Sequence, residues 1–110
     1  MTTTDAVSAL AALAQEHRLA AFRRLVQAGP EGMSAGAIAE ALGLPNSSLS
    51  FHLAQLREAG LVAQRRAGRS LVYSADYPAM DALVAYLMEN CCAGGECAPG
   101  PATQSERKCQ

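Results

Sequence analysis

The segment "NCCAGGEC", residues 90 to 97, sets three thiols close together: Cys91, Cys92 and, past a Gly-Gly pair, Cys97. Thiols at that density can hold a soft ion, close a disulfide or respond to oxidation. The spacing constrains each of these. Adjacent residues on a regular helix diverge by about 100°, so Cys91 and Cys92 converge only where a helix frays. Gly94 and Gly95 give the backbone freedom to fold Cys97 back toward them. An adjacent pair is not the ligand spacing of zinc ribbons, which leaves a four-thiolate zinc site with Cys109 as a weaker alternative. A disulfide between neighbours would be strained, and one from Cys97 to either partner is easier. Cys109 sits in a stretch rich in Pro, Gly, Ser, Gln and charge, which offers little to bury and reads as a flexible tail.

A second group of residues has chemistry of another kind. Within residues 57 to 70, Arg57, Arg65, Arg66 and Arg69 are opposed only by Glu58, on a chain whose formal net charge is −1. A basic stripe on a near-neutral chain points to nucleic acid. Ser47, Ser48, Ser50, Phe51, His52 and Gln55 form an almost uncharged face, short or hydrogen-bonding for the most part. A solvated helix face would carry more Lys and Glu, so this one suits burial against base edges.

Enzymatic chemistry is a poor fit. Thiol catalysis needs a thiolate stabilised at a helix N-terminus or in an anion loop, whereas Cys91 and Cys92 follow a helix, where the dipole disfavours negative charge. His17 and His52 are isolated in sequence, and no Ser/His/Asp arrangement or Gly-rich phosphate loop is present.

Positioning these residues requires a scaffold, and 110 residues suit one domain. Half the residues are hydrophobic, with three Tyr, two Phe and no Trp, a balance that favours packed helices. Val7, Leu10, Ala11 and Ala14 share one face of a first helix over residues 5 to 14. Leu19, Phe22, Leu25 and Val26 mark a second from Glu16 to Ala28, stopped by "AGPEG". Ser34 caps a short third helix, "AGAIAEAL", broken by Gly43. After the turn "GLPN" a fourth helix starts at Asn46 or Ser47 and buries Leu49, Leu53 and Leu56 up to Gly60. Two short helices about such a turn are a helix-turn-helix. "LVAQRRA" and "LVYSA" then read as strands of a hairpin turned by "GRS", a basic-tipped wing able to reach the phosphate backbone. A last helix from Pro78 to Asn90 places Met80, Leu83, Val84, Leu87 and Met88 at helical spacing. No basic leader and no apolar run near the ~20 residues of a membrane span is present, which predicts a cytoplasmic protein without membrane contact.

The run "LSFHLAQLREAGLVAQRRAGRSLVYSA" resembles the signature of the ArsR/SmtB family of winged-helix metalloregulatory repressors. Ser50, His52, Leu53, Leu56, Gly60, Leu61, Val62, Gly68 and Tyr73 fit it, and the resemblance covers roughly residues 5 to 90. It implies a mainly α winged helix-turn-helix of about five helices plus a two-stranded hairpin wing. It also implies a homodimer paired through the first and last helices, which binds double-stranded operator DNA and leaves it when an inducer binds. The domain would occupy residues 1 to 92 and a Cys-containing tail residues 93 to 110.

Family members place their sensors differently. At the positions where one arsenic-sensing type carries cysteines on the third helix, this chain has Ser34, Gly36 and Ala39. The last helix has Asp81 and Glu89 but no His, against the nitrogen and oxygen zinc sites of other members. Cys91, Cys92 and Cys97 resemble a version in which thiols beyond the last helix bind trivalent arsenic or antimony. Such soft centres take up to three sulfurs. No organic cofactor is implied. Zinc, cadmium or methylarsenite sensing and a thiol redox switch stay open as alternatives.

Overall fold

The computed structural model describes residues 1–94, so the predicted tail, with Cys97 and Cys109, lies outside the described residues. Five α-helices and three strands follow one another as α1 (Thr3–Leu13), α2 (Glu16–Ala28), β1 (Met33–Ser34), α3 (Ala35–Leu42), α4 (Asn46–Glu58), β2 (Val62–Ala67), β3 (Ser70–Ala75) and α5 (Tyr77–Met88). The architecture is the expected winged helix-turn-helix. None of its helices among the described residues is long and apolar enough to cross a membrane.

α1 starts two residues earlier than periodicity suggests, because Thr2 and Asp5 form a capping box. The Thr2 hydroxyl accepts from the Asp5 amide at 3.1 Å, and the Asp5 carboxylate accepts from the Thr2 amide at the same distance. The Thr2 amide, and after it the Thr2 side chain, stabilise the Asp5 carboxylate and hold its pKa below the ordinary value. The buried face also differs from the expectation. Ala6, Ala9 and Ala12 face inward, while Val7 and Leu10 are exposed. Methyl-sized side chains let α1 lie close on its neighbours, which the larger residues would prevent.

α2 is capped by the Gln15 side chain, which accepts from the Arg18 amide at 2.9 Å. At its other end the Tyr77 hydroxyl donates to the Val26 carbonyl at 2.9 Å, satisfying an acceptor the last turn leaves open. Ser34 caps α3 as expected, accepting from the Ala37 amide at 3.1 Å. Gly43 ends α3 in the left-handed conformation at φ +68°. The next helix starts at Asn46 after Pro45, with no side-chain cap.

The predicted hairpin is present, its register running from Val62 opposite Ala75 to Ala67 opposite Ser70. It is not alone. β1 adds a third antiparallel strand, Met33 opposite Tyr73, so that β3 is central. Gly32 makes this possible: at φ +76°, a Cβ there would stand 2.1 Å from the Tyr73 carbonyl oxygen.

The core gathers Leu25, Ile38, Leu49, Leu53, Leu56 and Leu61, all essentially sealed from solvent. α5 contributes only Leu83 fully; of its expected stripe, Met80 is half-buried and Val84, Leu87 and Met88 are exposed. The helix also stops at Met88, short of the predicted Asn90. Asn90 takes φ +56°, and a single 3₁₀ turn, Cys91–Gly94, follows.

Candidate nucleic-acid interface and thiol site

α4 is held by Leu49, Leu53 and Leu56, which turns Ser47, Ser48, Ser50 and Phe51 outward. Phe51 is 59% exposed, and its ring meets that of His52 edge-on with centroids 5.8 Å apart. The other two residues expected on this face sit differently. Gln55 is half-buried in a groove between α1 and α4 that it shares with Ser8, Arg18 and Glu58. His52 turns toward α2, where its Nδ1 lies 3.5 Å from the Arg18 guanidinium and its ring centroid 5.7 Å from that of His17. The two histidines, far apart in sequence, are therefore neighbours. Desolvation, then the charges of Arg18 and His17, lowers the His52 pKa.

The wing arginines divide. Arg66 and Arg69 are exposed at the tip around Gly68, whose φ of +64° suits the first turn position. Arg65 instead donates to the Glu31 carbonyl at 3.0 Å, tying β2 to the loop before β1. Gln64 and Tyr73, which charge patterning does not mark, join the wing to Arg57 of the helix. Arg57 donates to the Gln64 side chain at 2.6 Å, and Gln64 donates in turn to the Tyr73 hydroxyl at 3.0 Å. Gln64 and Tyr73 are register partners, so a strand assignment exact to one residue could have found the second contact. The first needs the fold.

Cys91 is half-buried and Cys92 exposed, in the 3₁₀ turn past α5. Cys92 has φ +59°, so the adjacent side chains do not diverge as they would on regular helix. The slight desolvation of Cys92, a hydrogen bond with Cys91 and the charge of that neighbour raise its pKa. Among the described residues no three His, Cys, Asp or Glu side chains gather as a metal site, and Cys97, named as the third ligand, is outside them.

A recognition-type helix, a wing beside it and a thiol pair at the end of the last helix define a DNA-binding regulator. Comparison with known proteins agrees. A helix-turn-helix domain model matches residues 13–65. The regulator YgaV of Escherichia coli is 33% identical over 88 residues, 80% of this chain and 87% of that protein. An ArsR-like transcriptional regulator from Rhodococcus superposes with a TM-score of 0.69 at 27% identity, covering 83% of this chain and 82% of the other. The homodimeric winged helix-turn-helix DNA-binding domain Mb0332 of Mycobacterium bovis gives 0.63 at 29%, covering 79% and 81%. Three further curated relatives match over only 53 to 58% of their own length. The chain belongs to the ArsR family of winged-helix transcriptional regulators and is not an enzyme.

Proposed function

We propose that this protein is a homodimeric repressor that binds operator DNA and is released from it when trivalent arsenic or antimony binds its C-terminal thiols. The observation that carries the inducer is the Cys91–Cys92 pair, set where the backbone has left the helix and hydrogen-bonded thiol to thiol. Two converging thiols fit a soft, thiophilic centre; Cys97 would complete the set. A low-pKa redox sensor is the less suitable reading, since the pKa of Cys92 is raised and not lowered.

Ser47, Ser48, Ser50, Phe51 and His52 would meet DNA in the major groove, with Gln55 at the groove edge and Arg66 and Arg69 on the backbone. Arg65 would contribute less directly, because its guanidinium already holds Glu31. The dimer reading is supported by the outward apolar side chains of α1, Val7 and Leu10, together with Val84, Leu87 and Met88 of α5. The Mycobacterium bovis relative is homodimeric. The Thr3 and Tyr86 hydroxyls share a hydrogen bond between the two helices, so both faces belong to one unit.

A gel-shift titration on a palindromic operator with arsenite, antimonite, methylarsenite, zinc and cadmium tests this. Release by the arsenic and antimony species is expected. Release by zinc or cadmium alone would replace the proposed inducer.

A further inference from the structure

The Arg18 guanidinium reaches in two directions from the start of α2. Its Nε donates to the Ala12 carbonyl at 2.6 Å, and its Nη1 faces His52 Nδ1 at 3.5 Å, a long hydrogen bond. The Ala12 carbonyl lies in the last turn of α1, where carbonyls lack helical partners. The Arg18 backbone is fixed as well, since its amide donates to Gln15. Its side chain is thus anchored at one end and aimed at the DNA-facing helix at the other.

A guanidinium has only N–H donors to offer. The ring nitrogen that meets it must present a lone pair. Desolvation, then the neighbouring Arg18 and His17, lowers the pKa of the ring and so favours its neutral form, and a neutral imidazole carries a single proton. With Nδ1 as acceptor, that proton is on Nε2. Among the described residues Nε2 makes no protein hydrogen bond, and the ring is partly exposed.

We propose that Arg18 fixes His52 as its Nε2–H tautomer and thereby makes it a hydrogen-bond donor toward DNA, a specificity-determining role for a residue of α2. The inference rests on the reading of α4 as the DNA-binding helix. A donor at this position selects acceptors such as guanine N7 and O6, thymine O4 or a phosphate oxygen, and rejects the amino groups of adenine and cytosine.

The tautomer is measured without DNA, from two-bond ¹⁵N correlations of histidine-labelled protein. Wild type is expected to show Nε2 protonated and Nδ1 bare, and Arg18→Met a mixture of tautomers. Operator binding supplies the second arm. His52→Gln keeps an N–H near the Nε2 position and is expected to bind operator more tightly than His52→Asn. His52→Asn, whose amide ends near the Nδ1 position, is expected to weaken binding about 5- to 150-fold, the range of one well-made base contact. This pair leaves Arg18 intact, so it decides the matter even if Arg18→Met folds poorly. Operators carrying 7-deazaguanine, 2-aminopurine in place of guanine, 5-methyl-2-pyrimidinone in place of thymine, or single methylphosphonates remove N7, O6, O4 and the phosphate charge in turn and show whether a base or a phosphate is the acceptor; insensitivity of the His52→Asn loss to every such change would overturn the inference. A wild-type ring protonated on Nδ1, or equal binding by the two His52 variants, would overturn it while leaving operator binding by wild type intact. Failure of wild type to bind any operator would overturn the DNA reading itself.

Discussion

Gly32 and Gly36 show how differently two glycines can matter. At Gly32 a methyl group would collide with the Tyr73 carbonyl and the backbone is left-handed, so Gly32→Ala must break β1 from β3. A loss of about 1–3 kcal/mol is expected from the strain alone, seen as a fall in Tm. Gly36 lies in α3 with nothing within 4 Å of its Cβ position, so Gly36→Ala should stabilise by up to about 1 kcal/mol. Thermal unfolding of both variants checks the contrast. His52 gives a pH prediction at the same scale. Its pKa is lowered in the folded protein, where Arg18 and His17 of α2 face it. Below the ordinary value of about 6.5 the unfolded chain takes up the proton first, so stability falls as pH drops through that value. Above it the term vanishes. Denaturant titrations between pH 7.5 and 5 should show a shallower decline for His52→Gln than for wild type.

At the scale of elements, what was legible followed from local chemistry. Ser34, Gly43 and the leucines of α4 fixed the helix-turn-helix, and alternation with a Gly-Arg turn fixed the hairpin. The third strand was not legible, because two residues carry no period and Met33–Ser34 becomes a strand only when β3 lies beside it. Nor was the facing of α1: an Ala-rich helix has two candidate apolar faces, and only packing chooses the alanines. The same ambiguity hid that His52 turns toward Arg18, since residues on the flank of a helix are divided between neighbour and solvent by tertiary contacts. The thiol site was half legible, its residue types being plain and its 3₁₀ turn not. The outward faces of α1 and α5 yield a prediction. Leu87 is 58% exposed, so Leu87→Glu should leave the monomer folded by circular dichroism but shift sedimentation from dimer toward monomer. An unchanged sedimentation coefficient would place the dimer contact elsewhere.

For the molecule as a whole, a sensor must make inducer affinity and operator affinity depend on each other. α5 connects the two: one end carries the thiol turn, and its exposed face is the candidate dimer contact that would set the spacing of two α4 helices on DNA. Half-site spacing tolerates little error. Drawing Cys91 and Cys92 together around an ion would rearrange the turn just past Met88. A coupling of ~1–3 kcal/mol would lower operator affinity about 5- to 150-fold, and the operator would weaken ion binding by the same factor. The exposed wing arginines act separately, through phosphates, so Arg66→Ala should reduce the slope of log affinity against log salt by about 0.9 without changing the response to the ion. Replacing Cys109 with Ser should likewise leave induction unchanged in the same titration. The central claim is tested most directly by operator affinity of wild type and Cys92→Ser, each with and without arsenite. The expected result is equal affinity of both proteins without arsenite and release of wild type alone when it is added. Equal release of both proteins would contradict the account.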